Sequence, residues 1–580
     1  MIHLCVNAHH DSSVTIVKDN VVIAHILEER FTHIKHKGPP MMALDQIENY
    51  IDSFDKISFT HLHHKYADFN HILAFLQYIS KVKSPDTLCS EVHSDHHDLH
   101  AICGFFHSGF EDAVVVVIDG AGSTYSCGKE NQTIYDCDQE NLNIIERDIV
   151  GSGEPVHDIF GYPIPDYVRK KTFIGAGYAY ASVTEACGFY ALDCGKTMGL
   201  SAYGKEDPSI PKLLTVEDGA NKNFLLGGKP GLEHFGLTHA NLTKQLIENN
   251  DKENLAYRIQ KDYEEYLIST CKRALSKSKS KNIVLTGGCA LNCVANYKLL
   301  KSLPEDINLY VEPVSDDSGV SIGGAIQQTN LRNAKLETLY LGSQLQYEYE
   351  LIGNNEIEYD VEPNHVAELI SLGNIVAIAQ GRSEVGPRAL GNRSLLFDPR
   401  VKDGKDIVNT IKKREYFRPF AGTILKEHAS DYFDMHRLDE SPFMMYAVDV
   451  LPHKRDEIPS IVHVDGTCRI QTITSDQNKN YYNLISEFYK LTGIPILFNT
   501  SFNLAGDTMV EYMDDALYTI RNSDIPYMYL PEIGKIIHSP INLRSEMDDD
   551  FHSGFDDGFE YNEIDGIIFK GNVDMLRSDY

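Results

Sequence analysis

The segment Asp95-His96-His97-Asp98-Leu99-His100-Ala101 sets imidazoles at spacings that suit a metal ion. Residues four apart share one face of a helix, so His96 and His100 can direct two ring nitrogens at a single ion. His93 and His97 offer a competing pair one face away, and with 25 histidines in the chain such pairs also arise by chance. Asp119 favours the first pair. It closes the apolar run Val114–Ile118 and precedes Gly120, which puts a carboxylate at the carboxyl end of a strand. Asp317, just before Ser318-Gly319 and a small-residue helix, is a second carboxylate, or simply the cap of that helix. Two histidines and two carboxylates make a mixed N/O set suited to iron, manganese or zinc rather than to a thiolate-bound metal. No glutamate follows His96, so the zinc-protease pattern is absent.

Other stretches suit anions. Gly287-Gly288-Cys289-Ala290-Leu291-Asn292 reads as a strand ending in paired glycines and opening a helix, which lets backbone N–H groups approach a phosphate or simply makes a tight turn. Asp119-Gly120 and Asp317-Ser318-Gly319 repeat the theme, and three such turns resemble the nucleotide cleft of actin, Hsp70 and sugar kinases. Farther on, Gln380-Gly381-Arg382-Ser383-Glu384-Val385-Gly386-Pro387-Arg388-Ala389-Leu390-Gly391-Asn392-Arg393-Ser394 gathers three arginines in one loop. Arginine forks bind phosphate or carboxylate bidentately, though they also build structural networks. Lys412-Lys413-Arg414 with Arg418, the run His463–Arg469, and Asn499-Thr500-Ser501 extend the set. Near the start, His9-His10-Asp11 and Lys35-His36 place histidine beside a carboxylate, where it can act as a base or orient a substrate.

These residues need a scaffold of strands that feed turns and helices. Ile2–Val6, Ser13–Val17 and Val21–Ile26 read as strands, the last two joined through Lys18-Asp19-Asn20 as a hairpin. Ala113–Ile118 and Ile283–Leu285 read as buried strands, and Ala290–Leu300 and Gly319–Gln328 as helices. The pattern lapses over 338–358. It resumes with a helix near Ala367, a strand over Ile375–Ala379 and a strand over Ile496–Phe498. The expected fold class is α/β. The chain has 580 residues, 53 basic and 84 acidic, for a net charge of −31. That length suggests several domains, and that charge argues against a general grip on nucleic acid. Apolar runs are too short to span a bilayer. The start, Met1-Ile2-His3-Leu4, lacks a basic region followed by an apolar segment. The 11 scattered cysteines form no Cys-x-x-Cys pair, and Cys289 and Cys293 read as small core residues. A cytoplasmic protein with reduced thiols is expected. After residue 541 the chain turns acidic, with Asp548-Asp549-Asp550 and Asp556-Asp557.

Taken together, the motifs resemble the O-carbamoyltransferases of nodulation-factor and antibiotic tailoring. The resemblance rests on His10-Asp11, Glu28-Glu29-Arg30-Phe31, Lys35-His36, His96-His97 with His100-Ala101, Gly195-Lys196-Thr197-Met198-Gly199-Leu200 with Tyr203-Gly204, Gly287–Asn292, Gly386–Ser394 and Asn499–Asn503. It runs from residue 2 to about 535. It implies an actin-like metal-binding domain over 1–340, like that of the tRNA threonylcarbamoyl transferases. A linker over 341–360 would follow, then a YrdC-like domain over 361–540 that makes carbamoyl-adenylate, and an acidic extension over 541–580. The implied reaction joins ATP, with its Mg²⁺, and carbamoyl phosphate into carbamoyl-adenylate, then passes the carbamoyl group to a hydroxyl and releases AMP. On this chain the resemblance implies His96, His100, Asp119 and Asp317 as metal ligands, usually to Fe²⁺, with His10 and Lys35 beside the transferred carbamoyl group. Arg388, Lys412, Arg418, Arg469, Asn499 and Ser501 would hold carbamoyl phosphate and ATP. Gly120, Gly287, Gly288 and Asn292 would line the nucleotide-type turns.

The resemblance leaves the acceptor open among sugar, antibiotic and hydroxymethylated-nucleotide hydroxyls. Segments 163–171 and 221–237, with Tyr162, Tyr167 and Phe173, are candidates to line its approach. A homodimer is the default assembly. The competing readings are a tRNA threonylcarbamoyl transferase, which the charge disfavours, an actin-like sugar kinase, and a non-catalytic nucleotide-binding module.

Overall fold

Short, mostly buried runs rich in Val, Ile and Leu make the first strands, and a two-residue turn joins the second to the third. Ile2–Asn7 (β1), Ser13–Lys18 (β2) and Val21–Leu27 (β3) pair antiparallel in order. Asp19 and Asn20 both take positive φ, 50° and 63°, as a two-residue hairpin turn matched to strand twist requires. Lys56–Thr60 (β4) and Leu88–Glu91 (β5) extend this sheet parallel to β1, in the order β3-β2-β1-β4-β5. The computed structural model describes residues 1–60, 88–92, 94–125, 128–150, 166–171, 175–215, 219–220, 225–226, 241–242, 250–331, 334–348, 352, 357–539, 561–564 and 567–570. His93, Tyr162, Phe173, most of 221–237, part of 338–358 and the acidic runs after 541 lie outside them.

A second sheet repeats the scheme. Asp112–Ile118 (β6) pairs antiparallel with Gly128–Asp138 (β7), which pairs with Leu142–Val150 (β8). On its other side β6 runs parallel to Asn282–Thr286 (β10), and β10 runs parallel to Asn308–Val311 (β11). Val168–Lys171 (β9) adds an outer strand to β8. From Ala113 to Ile118 every residue is buried, as expected of a strand covered on both faces.

Two helices lie between these sheets. His96–Ser108 (α1) packs on β6 and β10, and Val320–Thr329 (α4) packs on β1, β2 and β4 and against α1. Asp95 opens α1 and its N–H donates to Asp98 Oδ2 at 3.3 Å. Arg147 on β8 then clamps that first turn, reaching Asp95 and Asp98 at 2.6 Å each. Lys252–Ser276 (α2) covers the other face of the second sheet, and Cys293–Ser302 (α3) follows β10. The α1–α4 contact is tight at Gly323, where a Cβ would fall 2.1 Å from the carbonyl oxygen of Leu99. Gly323→Ala is expected to cost about 1–3 kcal/mol of stability and lower the urea midpoint, because backbone cannot yield as a side chain can. An unchanged midpoint would show that the two helices separate freely.

Residues 357–539 build a nine-stranded mixed sheet. Its central members are Val376–Ala379 (β12), Arg393–Phe397 (β13), Ala421–Leu425 (β14), Thr467–Ile473 (β15) and Ile496–Ser501 (β16), side by side in the order β12-β13-β16-β14-β15. The overall class is mixed α/β. Met1–Ser539 form one unit, which contains these three sheets and two short two-stranded ones. In Pro540–Tyr580 the described residues make a hairpin, Tyr561–Ile564 against Ile567–Lys570. No helix among the described residues is long and apolar enough to cross a membrane.

Candidate active site and metal centre

Side chains from α1, from the end of β6 and from the start of α4 meet between the two sheets. His96 Nε2 lies 3.1 Å from His100 Nε2, 3.2 Å from Asp119 Oδ2 and 3.4 Å from Asp317 Oδ1, and His100 Nε2 lies 3.6 Å from the same Asp317 oxygen. His97 turns away, with Nδ1 2.9 Å from Thr133 Oγ1. The helix therefore presents His96 and His100 together and directs His97 elsewhere.

The donor set fits a divalent ion. Ligands at about 2.0–2.2 Å from one ion lie roughly 3–3.6 Å from each other, the spacing of the four separations just given, and all four donor atoms lie within 4.8 Å of one another. Two Nε2 atoms facing each other at 3.1 Å cannot both donate, and two carboxylates beside them add negative charge in a buried place. A cation resolves both. Each carboxylate uses its other oxygen outward. Asp119 Oδ1 accepts the Gly288 N–H at 3.1 Å, and Asp317 Oδ2 lies 3.0 Å from His10 Nε2.

That Gly288 contact depends on the turn before α3. Gly287 has φ +84°, and a Cβ there would fall 2.6 Å from the Ile118 carbonyl. Asn292 caps α3, accepting the Ala295 N–H at 3.0 Å, and donates to Gln260 at 2.9 Å. Cys293 is buried and Cys289 half-buried. Gly120 follows Asp119 with open space around it, Tyr178 being the nearest neighbour at 3.9 Å. The turn leads onward, because Arg388 Nη2 donates to the Leu291 carbonyl at 3.1 Å.

Arg388 belongs to a cluster of like charges. Burial, then Arg469 and Arg418, push its guanidinium down to about 9. Arg414 is likewise pushed to about 9 by burial, Arg418 and Arg469. Arg388 and Arg469 each have a buried Nε without a hydrogen-bond partner. Arg418 meets Glu415 at 3.4 Å. Arg414 stands out only in the structure, because Lys412-Lys413-Arg414 reads as three equivalent cations. Lys412 is buried and its ammonium is already engaged by the Ser501 carbonyl, the Asn503 carbonyl at 2.7 Å and Asn503 Oδ1 at 3.0 Å. Burial, with Arg414 and Arg418, holds it well below the usual lysine range. Ser501 donates to Asn503 Oδ1 at 2.7 Å. Asn499 lies in register with Ala421, which lies in register with Arg469, and its amide reaches the Ala389 carbonyl at 3.2 Å.

The other two arginines of the 380–394 loop are structural. Arg393 is fully buried and donates to the Gln380 carbonyl at 2.6 Å and the Glu511 carbonyl at 3.2 Å. Arg382 donates to the carbonyls of Gly342 at 2.9 Å and Ile23 at 2.7 Å. Lys35 is exposed, within reach of the charges of Asp193, Glu29, Arg418 and Lys196. Tyr167 is exposed as well.

His36 Nδ1 lies 2.7 Å from Asp11 Oδ1. Burial opposes its charge, but the bond to Asp11 and the charges of Asp11 and Glu29 raise its pKa from 6.5 to about 9. A raised histidine stabilises the folded state fully below its unfolded pKa and loses that contribution as pH rises through the folded value. The urea midpoint is expected to fall between about pH 6.5 and pH 9, and His36→Gln to flatten that fall. An identical pH dependence in the variant would remove His36 from the account.

Comparison with known proteins matches the Carbamoyltransferase N-terminus model over residues 45–326 and the Carbamoyltransferase C-terminus model over 367–535. Nodulation protein NolNO of Sinorhizobium fredii is 31% identical over 565 residues, covering 89% of this chain and 77% of that protein. The 3'-hydroxymethylcephem-O-carbamoyltransferase of Streptomyces clavuligerus is 29% identical, covering 56% of this chain and 61% of that one. The solved structure of HypF from T. kodakarensis is similar over 57% of this chain and 48% of its own, at 13% identity and a TM-score of 0.35. With both halves matched in order, and a relative similar along nine-tenths of this chain, the chain belongs to the carbamoyltransferase family and is an enzyme that transfers a carbamoyl group.

Proposed function

We propose that this enzyme is an ATP-dependent O-carbamoyltransferase working in two steps. The observation that carries the reading is the half-buried arginine cluster Arg388, Arg414, Arg418 and Arg469, in which Glu415 pairs with Arg418 and the charges of Asp193 and Asp316 reach Arg418 and Arg388, while burial and mutual repulsion still lower the pKa values of Arg388, Arg414 and Arg418. Such a cluster is suited to two anionic co-substrates, carbamoyl phosphate and MgATP. Carbamoyl phosphate loses its phosphate to water. The carbamate oxygen then attacks the α-phosphorus of ATP, pyrophosphate leaves, and carbamoyl-adenylate forms. The arginines hold the two anions in line and offset their repulsion. Lys412 acts here by shaping the Ser501–Asn503 turn through its carbonyl bonds. Asn499 braces the loop that carries Arg388.

In the second step the acceptor hydroxyl attacks the carbamoyl carbon and AMP leaves. We assign His10, whose Nε2 lies 3.0 Å from Asp317 Oδ2 and whose Nδ1 faces His9 Nδ1, as the base for the hydroxyl proton. Lys35, at the exposed edge, neutralises the departing AMP phosphate. Fe²⁺, Mn²⁺ or Zn²⁺ held by His96, His100, Asp119 and Asp317 would supply Lewis-acid polarisation of the carbamoyl carbonyl. We assign transfer to residues 1–340 and adenylate formation to a YrdC-like domain over 361–540, joined by 341–360. The repeated strand order of the first two sheets supports an actin-like fold for the first part. The acceptor is proposed to be a small hydroxyl-bearing molecule, by analogy with the hydroxymethyl group in the name of the Streptomyces clavuligerus relative.

The test is product formation by the purified protein. AMP and pyrophosphate should form from ATP only when carbamoyl phosphate is supplied. ADP as product, or turnover indifferent to carbamoyl phosphate, would overturn the two-step reading.

A further inference from the structure

Helix α1 carries a second set of donors beyond the two histidines already described. Positions 96, 100, 103 and 107 follow one another at helical spacing, so Cys103 and His107 continue the same stripe toward the C-terminal end. Cys103 Sγ lies 3.7 Å from His107 Nδ1, and that nitrogen lies 3.0 Å from Glu312 Oε2. Glu312 directly follows β11. All three side chains are buried, and their donor atoms lie within 4.8 Å of one another.

The cluster is held as a metal site is held. Glu312 is fixed from outside, its Oε1 accepting the Val314 N–H at 2.9 Å and its Oε2 the Tyr310 hydroxyl at 3.3 Å. Orientation of a ligand by such outer contacts is the rule for metal centres. A sulfur at about 2.3 Å and a nitrogen at about 2.0–2.1 Å from one ion lie roughly 3.6 Å apart, which matches the Cys103–His107 separation. His25 lies near the cluster without belonging to it. It is fully buried, its Nε2 has no hydrogen-bond partner, its Nδ1 is held by Thr15 at 3.0 Å, and the charge of His107 reaches it. Charge also balances, since a thiolate and a carboxylate together neutralise a dication. Buried as it is, with Glu312 and Asp316 nearby, the Cys103 thiol is raised well above its usual range. It therefore stays protonated until a cation draws the proton off.

We propose that Cys103, His107 and Glu312 form a second, structural site for a thiolate-seeking divalent ion of the zinc class. Binding forms the sulfur–metal bond and releases the Cys103 proton to solvent. The site ties the end of α1 to the end of β11, while the His96 end of the same helix serves the reaction.

Cobalt(II) separates the two sites, because only this one contains sulfur. The full-length protein, stripped with chelator and reconstituted with cobalt(II), should bind two ions per chain and show a thiolate-to-cobalt charge-transfer band in the near ultraviolet. His96→Ala should lose one ion and keep the band. Cys103→Ser should lose one ion and the band together. Should Cys103→Ser fail to fold, His107→Gln keeps the thiol and should weaken cobalt binding at the sulfur site at least about tenfold. A wild-type protein without the sulfur band overturns the proposal, as does a band of full strength in either Cys103→Ser or His107→Gln. Either result would leave the carbamoyl-transfer reading as it stands.

Discussion

Arg388→Ala is expected to slow carbamoyl-phosphate-dependent release of pyrophosphate by about 10²–10³-fold, the usual effect of removing one positioned charge donor from a site where negative charge gathers. The reason is its setting. Of the loop's three arginines, Arg382 and Arg393 spend their donors on backbone carbonyls, whereas Arg388 makes one such bond, to Leu291, and keeps a buried Nε without a partner. Burial, with Arg469 and Arg418, lowers its pKa to about 9, and it is still charged at neutral pH. An anion that relieves this repulsion binds with more than one contact's worth of attraction. Pyrophosphate assay with saturating ATP and varied carbamoyl phosphate would check it. Wild-type rates would remove Arg388 from the anion site. Arg393→Ala, by contrast, should act on folding, since it takes away a fully buried side chain with several carbonyl bonds.

The second large effect is expected at His10. His10→Ala should slow carbamoylation of the acceptor by about 10²–10⁴-fold, the range for losing a positioned general base. Pyrophosphate release should persist, because His10 lies with Asp317 and not with the arginines. The pair of assays distinguishes the halves. Arg388→Ala should fail before carbamoyl-adenylate exists, and His10→Ala should fail after it. Equal loss of both activities in His10→Ala would show that the histidine supports the fold or the metal centre rather than the hydroxyl.

Much of this arrangement is legible in the chain. The spacing of His96 and His100 needs only helical geometry to bring two nitrogens together, and Asp119 needs only the end of an apolar run. The Asp19-Asn20 turn is equally local. What escapes is decided at long range. Nothing within residues 380–394 tells Arg388 from Arg393, because Arg393 is claimed by the Glu511 carbonyl, more than a hundred residues away. The choice of His96 over His97 is likewise made by Thr133 and Glu130 on β7. β7 hides its own period, since the pairing with β8 shifts between Glu130 and Gln132 and again between Ile134 and Tyr135, so charged and apolar positions lose strict alternation. Helix α2 has Leu255, Ile259, Tyr263 and Leu267 at helical spacing. It bears no chemistry-carrying motif that would draw attention to it. Cys103 and His107 stand one helical turn apart, but Glu312 lies 205 residues beyond His107, and the three meet only when α1 lies across the end of β11.

The position of α1 and α4 between two sheets has a mechanical consequence. His96 and His100 ride on the helix that packs against the second sheet, Asp119 is the terminus of that sheet, and Asp317 leads into the helix that packs against the first. An ion gripped by all four is a rivet through both layers. Sliding one layer over the other would pull a carboxylate off the ion, so the loaded protein should breathe less than the stripped one, and amide hydrogens along α4 should exchange more slowly when it is loaded.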